Sequence, residues 1–331
     1  MKNCKLCIFG LMMLLTIPAQ HVMGDPAGFE SRTLATAIQD EKSAANIGDS
    51  HFDIMVAKLK ASQKKTRFTP SSPEALRLAE QLFTDIFQGK PPATLAPTLT
   101  RLNLIMEIVE LDASRYLLLM EAHTHRRGRG FYIFPATGTE FEFSNQVLMI
   151  PHGFYDYHTG DIGIHLMLEG QFAAAAFNTV HRYGNRKLKG VSSNEIWDMA
   201  DLFDTFFSAF TKAFVRTHPA GHLIQLHGFS RKKRNTDTGR NSDIIISNGT
   251  AYPSQALTAL CDCVKIKLPG ITRLYPMEIN ALGGTQNTIG KVMRSMDHPG
   301  FIHLEMSLSM RKKMTYDHDI RNRFLSCLEK L

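Results

Sequence analysis

The segment QVLMIPHGFYDYHTGDIG, residues 146–163, decides the fold class. An apolar run of strand length leads into a loop rich in histidine and aspartate, and a helix is predicted after it over Gly163–Ala176. The alternation continues downstream, with strands predicted at Phe177–His181, His222–His227, Asp243–Ser247 and Phe301–Met306 and helices at Asn194–Val215, Pro253–Lys267 and Tyr316–Leu331. This pattern predicts an α/β protein with three α/β/α layers around a mixed, mostly parallel sheet.

The sequence before this segment predicts an N-terminal helical and β-hairpin extension. Ser72 followed by Pro73 caps a predicted helix through about Phe87, because proline is favoured at the first helical position. The segment PPATLAP, residues 91–97, is expected to break regular structure. Two strand-like runs on either side of the turn DASR predict an antiparallel hairpin. The predicted organisation is a helical extension over residues 25–100 and an α/β domain over residues 101–331.

Residues 1–24 have the order of a secretory signal peptide. Lys2 and Lys5 form a short basic start, and an apolar run follows from Leu6 to Pro18. The run is too short to cross a bilayer of about 30 Å as a helix, so it predicts export, with an uncleaved anchor as the alternative. We therefore expect a periplasmic or secreted protein that has no stable membrane insertion after signal cleavage.

The composition limits the classes of function. The 331 residues are 44% hydrophobic and 21% charged, which is typical of a globular protein and excludes a disordered or collagen-like chain. The formal net charge of +7 is mild and spread along the chain, so no nucleic-acid partner is expected. The sequence contains no GxGxxG segment, Walker loop or GxSxG elbow, and it gives no support for nucleotide binding or serine hydrolysis. It does not predict the oligomeric state.

Three cysteines follow the predicted signal peptide: Cys261, Cys263 and Cys327. An oxidising compartment would permit one disulfide and leave one thiol over. Cys261 and Cys263 are poorly placed to pair with each other, because they share a helical pattern with one residue between them. Cys327 could pair with either of them, whereas buried free thiols are the favoured interpretation.

The loop within residues 150–163 places four potential metal ligands directly after an apolar strand: His152, Asp156, His158 and Asp161. Open α/β sheets build their sites at the carboxyl ends of their strands. Imidazole nitrogen and carboxylate oxygen are ligands that suit zinc. A solvated polar turn is the alternative interpretation of this loop.

Two later strands supply further candidates. His227 follows an apolar run and therefore has the same position at a strand end. In FIHLEMS, residues 301–307, strand alternation places His303 and Glu305 on one face. Burial of a carboxylate is costly without a partner, so Glu305 is the candidate general base. An ion pair with Arg311 is the alternative explanation for it.

Together these residues predict a hydrolytic metal site. Three protein ligands leave an open position on zinc, where the pKa of a bound water falls to about 7. Glu305 would take the proton of that water and pass it to the leaving amine. Arg182, predicted at the end of a short strand, has the planar fork that matches a substrate carboxylate. The basic run SRKKR, residues 230–234, could attract an anionic substrate, although a solvated loop is the simpler interpretation.

The order of these segments resembles the N-formylglutamate amidohydrolase family, whose zinc hydrolases have a metallocarboxypeptidase-related, phosphorylase/hydrolase-like core fold. It is also similar to the phage-type poly-γ-glutamate hydrolases. The resemblance covers about residues 147–317, and short motifs in the same order carry it: IPHGF, FNTVHR, QLHGF, NALGGTQNTIG and FIHLEMSLSMRKKMTYD. It implies His152, Asp156 and His227 as metal ligands, Glu305 as the catalytic carboxylate and Arg182 as a substrate clamp.

The resemblance implies a zinc-dependent amidohydrolase or a carboxypeptidase-like metallopeptidase. Because the chain is expected to be exported, its substrate is expected to be a small peptide or an N-acyl amino acid. Asp156 is taken as the third ligand on this resemblance, and His158 and Asp161 remain the alternatives. The alternative function is a non-catalytic protein that binds an anionic peptide or glycan on the same scaffold.

Overall fold

A computed structural model describes residues 51–64, 66–112, 114–123, 126–136, 144–153, 155–183 and 198–331. The predicted signal peptide, residues 1–24, lies outside these ranges. Within them, the helices are α1 (His51–Gln63), α2 (Pro73–Phe87), α3 (Pro92–Arg101), α4 (Thr159–Glu169), α5 (Phe206–Thr217), α6 (Asp237–Arg240), α7 (Gln255–Lys267), α8 (Thr288–Ser295), α9 (Leu308–Tyr316) and α10 (His318–Leu328). A short 3-10 helix covers Arg231–Lys233.

The strands of the described residues form a single mixed sheet. They are β1 (Leu104–Leu111), β2 (Ser114–Glu121), β3 (Phe131–Pro135), β4 (Ser144–Ile150), β5 (Phe172–Phe177), β6 (His222–Phe229), β7 (Ile244–Ser247), β8 (Thr272–Leu274) and β9 (Phe301–Ser307). Their order across the sheet is β1-β2-β3-β5-β4-β6-β9-β7-β8. Strands β5, β4, β6 and β9 run parallel at the centre, so their carboxyl ends meet at one edge.

The outer strands are arranged differently. The predicted hairpin forms as β1 and β2 and continues the sheet through β3, with antiparallel pairing up to β5. On the other side, β7 is antiparallel to β9 and parallel to β8.

Helices cover both faces of this sheet. One apolar core includes buried residues of α1, α4, α7, α9 and α10, and the other includes buried residues of α2, α3, α5 and α8. The chain is therefore a three-layer α/β/α protein with a mixed sheet, as its alternating pattern predicts. No helix in the described ranges has the length and apolar content to span a bilayer.

The strand predicted at Phe177–His181 was placed wrongly. Helix α4 ends at Glu169, and the strand β5 is the segment FAAAAF at Phe172–Phe177. Alanine favours a helix in isolation, but Ala174–Ala176 are completely buried between the neighbouring strands β3 and β4. Burial in the centre of the sheet therefore outweighs the local helix preference.

PPATLAP does not break regular structure, contrary to the prediction. It begins the helix α3, in which Pro92 occupies the first turn, where an N–H would have no partner within the helix. Leu95 and Leu99 lie one turn apart and are both buried in the core that contains α2 and α5. Packing of this apolar stripe stabilises the helix despite a second proline, Pro97, inside it.

A disulfide joins helices α7 and α10. Cys263 and Cys327 are bonded, and their Cα atoms lie 5.7 Å apart. The favoured prediction of buried free thiols is therefore wrong for these two residues, and it is right only for Cys261, which is free and buried. The helical pattern could not show that α10 packs against α7, because that contact joins segments far apart in the sequence.

Candidate metal centre

The loop after β4 brings His152 and Asp156 together. The backbone N–H of Asp156 donates to the carbonyl oxygen of His152 at 2.8 Å, which closes a turn directly after the strand. As a result, Nδ1 of His152 lies 3.3 Å from Oδ2 of Asp156, and both side chains are buried. The same Oδ2 accepts the backbone N–H of Gly228 at the end of β6, at 2.9 Å. Asp156 thereby connects the ends of two parallel strands.

Strand register brings the other predicted residues to the same edge. In the parallel pair β6 and β9, His227 lies opposite Glu305, and Gln225 lies opposite His303. Parallel neighbours in register place their side chains on the same face of a sheet. The residues between them on both strands point into the core on the opposite face. The alternation predicted for FIHLEMS is therefore present in the structure.

Three donor atoms converge at this edge. Nδ1 of His227 lies 3.1 Å from Nδ1 of His152 and 3.7 Å from Oδ2 of Asp156. Tetrahedral zinc with bonds of about 2.0–2.2 Å would separate its ligand atoms by roughly 3.3–3.6 Å. The three observed separations lie around this range, so the sizes of the cluster and of a zinc site agree.

Hydrogen bonds behind the two imidazoles direct their lone pairs toward each other. Nε2 of His152 lies 2.6 Å from Oδ1 of Asp198, and Nε2 of His227 lies 2.9 Å from Oε1 of Gln225. Since both partners are acceptors, each Nε2 acts as a donor, and in the neutral form of each ring Nδ1 therefore presents a lone pair. Asn287 donates to the same Gln225 oxygen at 2.6 Å and fixes its orientation. Two lone pairs and a carboxylate that face one another fit a bound cation.

The charges in this cluster are strongly coupled. Burial lowers the pKa of His152, but its hydrogen bonds to Asp156 and Asp198 outweigh this effect and raise the pKa to about 9. Burial and the neighbouring His152 lower the pKa of His227. Burial alone would raise the pKa of Asp156, whereas its contacts with both histidines lower it far below its usual range. His152 therefore keeps its second proton at neutral pH while Asp156 is ionised, and a cation that binds to Nδ1 of His152 must displace that proton.

The two alternative ligands of the loop lie outside this cluster. His158 and Asp161 pair with each other, with Nδ1 and Oδ2 3.5 Å apart. The ring of His158 contacts the rings of Tyr157 and Tyr316, with centroids 4.0 and 5.6 Å away. Among the described residues, the donor group at this loop consists of His152, Asp156 and His227. The geometry therefore favours Asp156 over both alternatives.

Glu305 lies beside the donor cluster. Its carboxylate, His227 and His303 offer ligand atoms that all lie within 4.8 Å of one another. Its Oε2 atom is buried and has no hydrogen-bond partner in the described ranges. Burial, together with the negative charge of Asp156, raises the pKa of Glu305 to about 8. Arg311, the predicted ion-pair partner, instead donates to the carbonyl oxygens of Tyr157 at 2.5 Å and Phe229 at 3.4 Å.

Arg182 borders the site but follows the end of β5 by five residues, because the strand ends earlier than predicted. Its guanidinium forms an ion pair with Asp198, the residue that also holds His152. The same guanidinium lies 5.5 Å from the ring centroids of both Tyr155 and Tyr183. Arg182 therefore supports the environment of His152 as well as lining the cavity.

A cavity of about 650 Å³ opens onto these groups. Its lining includes the donor cluster, Glu305 and His303, and the cationic side chains Arg182, Lys233, Arg234 and Arg311. This volume is in the range of pockets that hold small organic ligands. The cavity can therefore bring a small polar molecule to the metal ligands and to Glu305 at the same time.

Several residues of the site were not predicted from the sequence: Asp198, Gln225, Asn287 and the role of His303. Asp198 follows no predicted strand and reaches His152 only through tertiary contact. Gln225 had a signal, because it alternates with His227 on an otherwise apolar strand. A buried amide two residues before a candidate ligand indicates a residue that orients the ligand.

Comparison with known proteins gives similarity to solved structures only. No family model and no curated protein matches the chain. A metallo-carboxypeptidase from Burkholderia cenocepacia is 11% identical, with 79% of this chain and 70% of that chain covered and a TM-score of 0.33. A protein from Shewanella amazonensis that is provisionally named a metallopeptidase is 12% identical. The match covers 74% of this chain and 94% of that chain, with a TM-score of 0.30. A similarly named protein from Shewanella denitrificans is 11% identical. The match covers 75% of this chain and 89% of that chain, with a TM-score of 0.29.

Proposed function

We propose that the chain is an exported zinc-dependent hydrolase that cleaves an amide bond in a small peptide or an N-acyl amino acid. The observation that carries this proposal is the convergence of His152 Nδ1, His227 Nδ1 and Asp156 Oδ2 beside the buried carboxylate of Glu305. Two histidines and one carboxylate are the ligand set of catalytic zinc sites that keep a position open for water.

Each group of the site has a defined part in this reaction. His152, Asp156 and His227 would hold the cation, with Asp198 and Gln225 fixing the two imidazoles. When bound, zinc supplies a Lewis acid and lowers the pKa of water to about 7. The carboxylate of Glu305 accepts a proton from the attacking water and delivers it to the leaving nitrogen, so that the amine departs neutral.

The position of Glu305 suits this proton transfer. A proton carrier works best when its pKa lies near the pH of the reaction, and burial raises the pKa of Glu305 well above that of an exposed glutamate. The unpartnered Oε2 leaves the carboxylate free of a permanent hydrogen bond from the described residues.

Export is supported by the disulfide as well as by the signal-like sequence of residues 1–24. The bond between Cys263 and Cys327 joins two helices of the core, where both side chains are buried. Structural disulfides are typical of oxidising compartments and rare in the cytosol. The disulfide and the signal-like sequence of residues 1–24 therefore both support a periplasmic or secreted location.

The test begins with the zinc content of the purified protein and its turnover of N-acyl amino acids and short peptides. We expect about one zinc per chain, loss of zinc in His227→Ala, and full zinc with turnover reduced by about 10²–10⁴ in Glu305→Gln. His158→Ala is the matched control, because this buried histidine belongs to the same loop and lies outside the donor cluster. Zinc retained in His227→Ala would contradict the proposal. Ligand binding without turnover in the wild-type protein would identify the binding protein instead.

A further inference from the structure

His303 is a buried imidazole with no part in the proposed reaction. It lines the cavity, and only 3% of the residue is exposed. Its Nδ1 atom is buried and has no hydrogen-bond partner in the described ranges. Its Nε2 atom lies 4.0 Å from Oε1 of Glu305, which is too far for a hydrogen bond. Burial of an unpaired polar group costs free energy, so this state of His303 requires an explanation.

The three arginines of the cavity differ from His303, although their Nε atoms are also buried without a partner in the same ranges. A guanidinium has five N–H donors, whereas an imidazole has only two nitrogens. Arg182 uses other donors of its guanidinium for Asp198, and Arg311 uses its own for two backbone carbonyl oxygens. Arg234 is only half-buried, so water can reach its side chain. For His303, by contrast, the whole polar part of a buried side chain is unpaired within the described residues.

The polar neighbours of His303 in the sheet form their hydrogen bonds with other groups. Gln225, which lies opposite it on β6, accepts from His227 at 2.9 Å and from Asn287 at 2.6 Å through the same Oε1 atom. Ser247, which lies opposite it on β7, donates to a backbone carbonyl oxygen and accepts a backbone N–H at 2.8 Å. The sheet therefore leaves His303 to bond with a molecule that enters the cavity.

His303 lies farther from the mouth of the site than Glu305. Strand β9 ends at the edge where the metal ligands meet, and His303 precedes Glu305 by two residues, which is roughly 7 Å along a strand. Gly284 packs directly on the imidazole, since a Cβ atom added to it would lie 2.9 Å from the ring. A substrate group that extends past Glu305 into the cavity therefore reaches His303.

The charges around His303 limit the kind of group that suits it. The carboxylate of Glu305, 4.0 Å away, would repel an anionic side chain. A cationic side chain would pair with Glu305 and compete with its proton transfer. An apolar side chain would leave the imidazole unpaired. An uncharged side chain that forms hydrogen bonds avoids all three conflicts.

We infer that His303 determines specificity by selecting substrates in which a residue next to the cleaved amide bond has a hydroxyl or carboxamide side chain. This inference rests on the proposed function and names its substrate class more narrowly. Both groups donate and accept, so each can pair with a neutral imidazole in either tautomer. A site that hydrogen-bonds its substrate discriminates strongly against an analogue that lacks the group, because the buried polar atom of the site then stays unpaired.

Binding of matched probes to the zinc-loaded Glu305→Gln protein tests this inference without turnover. The probes are N-acetyl dipeptides of alanine with one variable residue, placed either before or after the peptide bond. That residue is asparagine or its near-isostere leucine in one series, and threonine or its near-isostere valine in the other. All probes carry the same single carboxylate, so their charge is constant. We expect the polar member of at least one pair to bind about tenfold or more tightly than its apolar partner in calorimetric titration.

Variants of two buried histidines, made in the same background, assign the preference. His303→Leu should abolish it while zinc is retained, and His303→Gln, which keeps a donor and an acceptor, should keep a preference of about threefold or more. His158→Leu is the matched control, because this buried histidine lies outside the cavity lining, and it should leave the preference unchanged. The side-chain nitrogen resonances of His303, assigned by their absence in His303→Gln, should shift with the polar probe and not with the apolar one.

The inference is overturned if no pair shows the preference, if zinc-loaded His303→Leu retains it, or if His158→Leu loses it equally. If His303→Leu does not hold zinc, the resonances decide, and resonances that stay unmoved by the polar probe overturn the inference. Turnover of the probes without the preference would refute this inference alone. The preference in a wild-type protein without turnover would refute the proposed hydrolase and leave the binding role of His303 standing.

Discussion

Nε2 of His152 lies 2.6 Å from Oδ1 of Asp198, and 46 residues separate the two in the sequence. The other carboxylate oxygen of Asp198 contacts Arg182, and the backbone N–H of Ala200 donates to Oδ1 at 3.0 Å. Asp198 is almost fully buried and has a lowered pKa: burial opposes ionisation, but His152 and Arg182 outweigh it. A buried, ionised carboxylate behind an imidazole fixes its tautomer and increases its basicity toward a metal.

Removal of Asp198 is therefore expected to weaken zinc binding without removing a ligand. Asp198→Ala should lower zinc affinity by about 10–100-fold, and Asp198→Asn, which keeps an acceptor oxygen but loses the charge, should have a smaller effect. Competition with a chelator of known affinity measures the change. Asp201→Asn is the control, because this carboxylate lines the same cavity without a contact to the described ligands. Equal losses in Asp198→Ala and Asp201→Asn would show only a general effect of charge.

The sequence pattern predicted which residues meet at the candidate metal centre, because most of them lie at the ends of apolar strands. His152, His227 and Glu305 each lie on or just beyond an apolar strand, and parallel strands bring such ends to one edge. The order of the strands in the sheet makes β4, β6 and β9 neighbours. The sequence pattern could not predict this order.

Contacts made by residues outside helices and strands could not be predicted from the sequence pattern. Asp198 falls within the helix predicted over Asn194–Val215, but in the structure it belongs to neither a strand nor a helix, and α5 begins only at Phe206. The strand FAAAAF was misread because its composition favours a helix until the sheet buries it. Local preference therefore failed where burial between distant segments decided the structure.

Gly228 is expected to resist substitution because Arg311 passes directly over it. A Cβ atom at this position would overlap the Arg311 guanidinium and lie 2.6 Å from its Nε atom. Gly228→Ala should lower the free energy of unfolding by about 1–3 kcal/mol and also weaken zinc binding, since the Gly228 N–H holds Asp156. Denaturant titration and chelator competition measure the two effects.

Gly153 provides the matched control for that prediction. It also lies in the site, next to His152, but the nearest atom to an added Cβ would be Cγ2 of Ile150 at 3.5 Å, an ordinary contact distance. Gly153→Ala should therefore change the free energy of unfolding by no more than about 0.5 kcal/mol. If both glycine variants lose the same stability, crowding by Arg311 is not the cause.

The disulfide is expected to stabilise the fold by restricting the unfolded chain. Its cysteines are 64 residues apart, and closing a loop of this size contributes about 2–4 kcal/mol. Reductant should lower the denaturant midpoint of the wild-type protein and leave Cys263→Ala/Cys327→Ala unchanged. Cys261→Ala, which removes the buried free thiol, should retain the response to reductant. A double variant that still responds to reductant would contradict this assignment of the bond.

Acid should weaken the contact between α4 and α10. Arg321 donates to both carboxylate oxygens of Glu169 at 2.7 Å, and Nδ1 of His165 lies 3.3 Å from one of them. Burial raises the pKa of Glu169, but these partners outweigh it and lower the pKa to about 2. Because the folded protein holds this proton less tightly than the unfolded chain, the stabilisation is complete above the unfolded pKa of about 4.5 and is lost as the pH falls toward 2.

Comparison with Glu169→Gln isolates this effect from all other titrations. Glutamine keeps the shape but cannot ionise, so it leaves Arg321 without its counter-charge at every pH. We expect the wild-type protein to be more stable than the variant by about 1–3 kcal/mol at neutral pH, and this difference should shrink steadily between pH 4.5 and pH 2. Urea unfolding of both proteins at a series of pH values measures it. A difference that stays constant over this interval would mean that the charge of Glu169 does not stabilise the packing of α10 on α4.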